Sequence, residues 1–139
     1  MNGRTVLRGL ALGAVLVALM LSPARAGDVE GAPSGAQTDL SGIYAVKGQD
    51  PEGTSKYEGK VAVVKHGNTY RVDWALEDHH AVGTGIATAK TFAVTFVTPG
   101  LPVPGLAVFE IAPSGTLTGT FTLLGARDIG LETWTPQTY

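Results

Sequence analysis

Four consecutive residues, Glu77-Asp78-His79-His80, are of the types that ligate metals or move protons, and they sit inside the stretch "WALEDHHAVGTG". Carboxylates and imidazoles can share a zinc ion, and either can serve as a general acid or base. His66 is the remaining histidine, and Asp50, Glu52, Arg127 and Asp128 fall in other turn-like segments. Glu132, in "GLETW", is different: alternation puts it on one face with Gly130 and Trp134. What these residues can do depends on which of them the fold brings together.

From Leu40 onward the chain reads as short β-type runs broken by turn residues. The runs are 40–48, 56–65, 69–77, 81–88, 91–98, 106–112, 116–124 and 129–135. In the third, Tyr70, Val72, Trp74 and Leu76 share one face, and Arg71, Asp73 and Glu77 the other. No stretch keeps a helical period long enough to compete. Short connections favour antiparallel pairing of successive strands, with "PGLPVPG" (Pro99–Gly105) expected as a long loop. The expected fold is all-β: one antiparallel meander of about eight strands, closed or nearly closed into a small barrel, which removes both sheet edges. Glycines within the runs suit the sharp coiling of such a barrel, and a β-sandwich is the alternative architecture.

The first 26 residues have the layout of a secretory signal: Arg4 and Arg8, an apolar core from Leu10 to Leu21, and Ala24-Arg25-Ala26 as cleavage site. The expected organisation is signal peptide 1–26, flexible linker 27–39, barrel 40–136 and tail 137–139. The mature part keeps seven basic against twelve acidic side chains, a formal charge of −5. That balance opposes nucleic acid or an anionic membrane as partner. No membrane span is expected in the mature chain, since the apolar run is short of the roughly 20 residues required. With no cysteine, an exported protein of this size must be held by packing alone, free in the periplasm or outside the cell.

In an up-and-down meander, turns alternate between the barrel's two ends. The turns at 49–55, 77–80, 99–105 and 125–128 share one end. That end gathers Asp50, Glu52, Glu77, Asp78, His79, His80, Arg127 and Asp128, the expected surface for binding through loops. His66 falls at the opposite end, roughly 25–30 Å away along one strand, which excludes a three-histidine zinc site. Adjacent His79 and His80 point to opposite faces on an extended backbone, so a solvated polar turn is favoured over a metal site. No serine carries a nucleophile-elbow signature, and Gly83-Thr84-Gly85 lacks the helix and lysine of a phosphate loop. No cofactor and no catalytic set is therefore expected. The candidate interior comprises Tyr44, Tyr57, Tyr70, Trp74, Glu132 and Trp134. If Glu132 points inward it needs Arg127, Arg71 or a tyrosine hydroxyl as partner, or else serves as the polar contact of a ligand-holding interior.

The order Gly42-x-Tyr44-x-Val46-x-Gly48, Pro51-Glu52-Gly53, Tyr57-x-Gly59-x-Val61, Gly67-x-x-Tyr70-x-Val72-x-Trp74, Gly83-x-Gly85, Gly115-x-Leu117-x-Gly119 and Glu132-x-Trp134 resembles a family of small exported bacterial proteins commonly labelled fibronectin-binding. The chain departs from that pattern at Phe121, where a tryptophan is typical, and in the Pro99–Gly105 segment. "GTLTGTF" before a Trp-ended last strand is more weakly similar to avidin-like barrels, without their biotin-binding set. The resemblance implies non-catalytic binding of an extracellular or cell-envelope protein. Barrel geometry leaves a small apolar ligand in the interior as the alternative, and an interior volume of about 300 Å³ or more would favour it.

Overall fold

The computed structural model describes residues 38–138. The expected signal peptide, all but the end of the linker, and Tyr139 lie outside them. Eight strands follow in order: β1 (Gly42–Gln49), β2 (Lys56–His66), β3 (Thr69–Leu76), β4 (His80–Ala87), β5 (Thr91–Thr98), β6 (Leu101–Ile111), β7 (Leu117–Leu123) and β8 (Gly130–Pro136). Each pairs antiparallel with the next, and β8 returns to pair with β1, so the sheet is a closed eight-stranded meander barrel.

Alternation decides which residues face inward. Along β8 the buried positions are Gly130, Glu132 and Trp134, while Leu131 stays exposed. The core is mainly aromatic and β-branched. Trp134 is its hub, with ring centroids 4.2 Å from Phe109, 5.5 Å from Trp74 and 6.0 Å from Tyr44. Leu40, just before β1, is also buried, and its carbonyl accepts a hydrogen bond from the Tyr44 hydroxyl at 2.8 Å. Outside the barrel, charges concentrate on β1–β3, as in the Lys47–Glu58 and Arg71–Asp73 pairs. Across β5–β8 Glu110 is the one outward-facing charged residue, among exposed Val97, Leu106, Val108 and Leu131.

One element differs from the sequence expectation. Pro99–Gly105 is not a loop: Pro99 and Gly100 make the turn, Gly100 with φ +85°, and β6 begins at Leu101. The register shifts between Phe96 and Thr98, and β7 joins β6 only from Gly105. Pro102 therefore sits where the strand lacks its β7 neighbour, and Pro104 at the start of that pairing, where its carbonyl accepts from the Leu124 amide at 2.9 Å and a missing N–H is tolerated.

Candidate functional site

Inside the loop end of the barrel, a carboxylate is built into an aromatic wall. Glu132 is the one charged side chain in the buried core of the described residues, 7% exposed. In register it lies between Gly48 on β1 and Gly119 on β7. Gly48 in turn faces Tyr57 on β2. A Cβ at Gly48 would overlap the Tyr57 ring. The missing side chain thus lets the phenol cross over β1 and reach a residue two strands away. Its hydroxyl donates to Glu132 Oε1 at 2.7 Å. Glu132 Oε2 accepts from the Trp134 indole at 2.7 Å and from the Trp74 indole at 3.3 Å. Three donors from three strands, β2, β3 and β8, thus converge on one carboxylate.

The electrostatics follow from this enclosure. Burial pushes the Glu132 carboxyl above its ordinary value, while the bonds from Tyr57, Trp134 and Trp74 and the field of His79 pull it back. Burial also raises the Tyr57 hydroxyl, and the neighbouring Glu132 charge raises it further. Tyr57 therefore stays a proton donor at any ordinary pH.

Beside Glu132 lies a cavity of about 170 Å³. Its wall includes Tyr57, Trp74, Leu76, Phe96 and Phe121, and its rim Asp50, Pro51, His79 and Thr98. The rings form a continuous chain, with centroids 6.5 Å apart for Tyr57–Phe121, 6.3 Å for Phe96–Phe121 and 5.6 Å for Trp74–Phe96. The volume is below the roughly 300 Å³ typical of ligand pockets. It matches a cavity of about 150 Å³ that holds benzene in another protein. Ligands of lipocalin size are excluded; a compact group is not.

The expected loop-end residues divide. Of the acids and histidines, Asp50 and His79 reach the cavity rim. Asp50 is engaged locally, accepting from the Thr54 amide at 2.8 Å, the Thr54 hydroxyl at 2.9 Å and the Ser55 amide at 3.1 Å. It braces the β1–β2 turn, where Gly53 takes φ +72°. His80 opens β4 and points outward, beside Lys60 and Asp73 in a groove of the outer wall. Glu52, Glu77, Asp78, Arg127 and Asp128 are exposed and line no part of the cavity. Among the described residues no group of three or more His, Asp or Glu side chains is placed to hold a metal ion.

All six expected interior residues do face inward, but not to one place. Tyr57, Trp74, Glu132 and Trp134 belong to the carboxylate cluster. Tyr70 packs edge-on against Phe92 at 5.5 Å, outside that cluster, and its buried hydroxyl has no hydrogen-bond partner among the described residues. Of the partners considered for Glu132, a tyrosine hydroxyl serves; Arg71 is turned outward onto Asp73. Phe96 and Phe121 were missing from the expected site. The signal was present as Phe96 alternating with Phe92 and Val94, and as Phe121 where a tryptophan is typical of the resembled family.

No family model matches the chain, and no curated protein does. Solved structures do match: a redesigned β-barrel is similar over 71% of this chain and 92% of its own, with a TM-score of 0.60 and 16% identity. At that identity the likeness concerns the fold alone. No helix among the described residues is long and apolar enough to cross a membrane.

Proposed function

We propose that this is an exported, non-catalytic binding protein that takes a compact, largely apolar ligand into the loop-end cavity. The observation that supports this most is the 170 Å³ cavity with Glu132 in its wall. Pockets of this kind combine aromatic walls with a few fixed polar groups. Holding a carboxylate in an apolar interior costs stability, and Gly48 and Tyr57 are arranged to keep it there. A barrel selected for stability alone would fill the same space with aliphatic side chains. Catalysis has no comparable support, since Asp50 is occupied by its own turn and Glu132 by three donors.

A second reading is favoured by a different feature. The outer wall of β5–β8, with Val97, Leu106, Val108 and Leu131 exposed and Glu110 its one charge, suits contact with a protein partner. That is the binding mode implied by the family resemblance. Ligand-observed NMR with a library of compact fragments separates the two. The cavity reading predicts hits that compete with one another and that are lost in Phe96→Trp, which fills the cavity. An absence of hits in the folded protein would reject it in favour of the outer wall.

A further inference from the structure

Resting on the cavity reading, we propose that the ligand presents a compact alkylammonium group, with Glu132 as its counter-charge and Tyr57, Trp74, Phe96 and Phe121 as its cage. The first argument is the hydrogen-bond inventory of the carboxylate. Both groups on Oε2 are indole N–H donors, which cannot accept. A proton on that oxygen would weaken it as the acceptor of both. The hydroxyl of Tyr57 likewise donates to Oε1. All three donors favour the anionic form, against the burial that opposes it. An ionised carboxylate accepts at about four positions, so one position on Oε1 remains open in a residue that lines the cavity.

The second argument is the absent counter-ion. Among the described residues no lysine or arginine pairs with Glu132: Lys47 is with Glu58 and Arg71 with Asp73, both outside the barrel. Arg127 is exposed at a turn. The charged groups that face the cavity are His79 and Asp50 at the rim and Glu132 in the wall. A buried anion without a partner is costly, and a cation entering the cavity relieves that cost.

The third argument is the wall itself. Four aromatic rings in a continuous chain, with centroids 5.6–6.5 Å apart, surround the space next to the carboxylate. Faces of tryptophan, tyrosine and phenylalanine attract cations within about 6 Å, and aromatic cages are the recurrent solution for methylated ammonium groups. A volume near 170 Å³ admits such a head but not a long chain. Anything attached to it must leave past Asp50, His79 and Thr98.

The test compares choline with its neutral isostere, dimethylbutanol, in which carbon replaces the nitrogen. Each is titrated into the purified protein by calorimetry in mildly alkaline buffer. The charge-selective site predicts that choline binds at least about tenfold more tightly. Glu132→Gln should abolish that preference. Phe121→Leu, which leaves the carboxylate and its three donors in place, should weaken choline more than the alcohol. Equal affinities, or tighter binding of the alcohol, would overturn the ammonium inference and leave the cavity reading standing. No binding of either compound to the folded wild type would overturn both.

Discussion

Two tyrosine hydroxyls show how differently the same group can be used. The Tyr57 hydroxyl donates to Glu132, so Tyr57→Phe strips a buried carboxylate of one donor. We expect a loss of about 1–3 kcal/mol in urea unfolding. Tyr70 is buried with its hydroxyl unpaired, so Tyr70→Phe should be neutral or stabilising. If both changes cost the same, Tyr57 is not holding the carboxylate. The protonation of Glu132 gives a second test. Its folded-state value is raised above the ordinary 4.5, so the unfolded chain ionises first as pH rises. Between 4.5 and the folded value the native state holds the extra proton, and stability falls with rising pH. The stability attached to Glu132 is fully present below 4.5 and lost as pH rises through the folded value. Relative to wild type, Glu132→Gln should therefore gain stability steadily from acid toward neutral pH. A gap that stays flat, or closes in the opposite direction, would show that burial does not dominate at Glu132.

At the scale of the strand, glycines govern who meets whom. Gly48 is the position over which Tyr57 reaches from β2 to β8. Gly48→Ala should displace that ring, cost roughly 1–3 kcal/mol through overpacking, and broaden the indole signals of Trp74 and Trp134. An unchanged stability and unchanged indole spectrum would mean that the row Tyr57–Gly48–Glu132 is not coupled. The strands themselves were legible in the sequence, because Tyr70, Val72, Trp74 and Leu76 alternate with polar residues over a full strand. The inward direction of Glu132 was not. Trp134 argues for one face of β8 and Leu131 for the other, and both faces are apolar enough to be core. Gly48 and Gly119 flank Glu132 in register, Gly48 making way for the Tyr57 ring that bonds its carboxylate and Gly119 for Phe109, and that adjacency exists only once the strands pair. Pro102 and Pro104 misled for a related reason. Proline signals a loop unless it falls where the sheet needs no N–H donor, and that is known only from the staggered pairing of β6 with β7.

For the whole molecule, closure of β1 on β8 concentrates the core around Trp134 and leaves the loop end incompletely filled. Trp134→Ala should cost about 3–5 kcal/mol, or prevent folding, since it removes both the hub of the core and a donor to Glu132. The placement of turns at alternate ends was legible from loop order alone. Of the polar loop-tip residues, Asp50 is engaged in shaping its own turn. The proposed ligand site lies one layer deeper, where Tyr57, Trp74 and Glu132 line the cavity.

Both tryptophans of the chain donate their indole N–H to Glu132, which makes them built-in reporters of the cavity. The most direct measurement is a nitrogen-15 NMR titration of the full protein with a compact ligand, following the two indole resonances alongside the backbone amides. The account predicts that both indole signals shift together and saturably, with amide changes at Tyr57, His79 and Phe121. Saturable shifts confined to the outward residues of β5–β8, with both indoles unmoved, would contradict it.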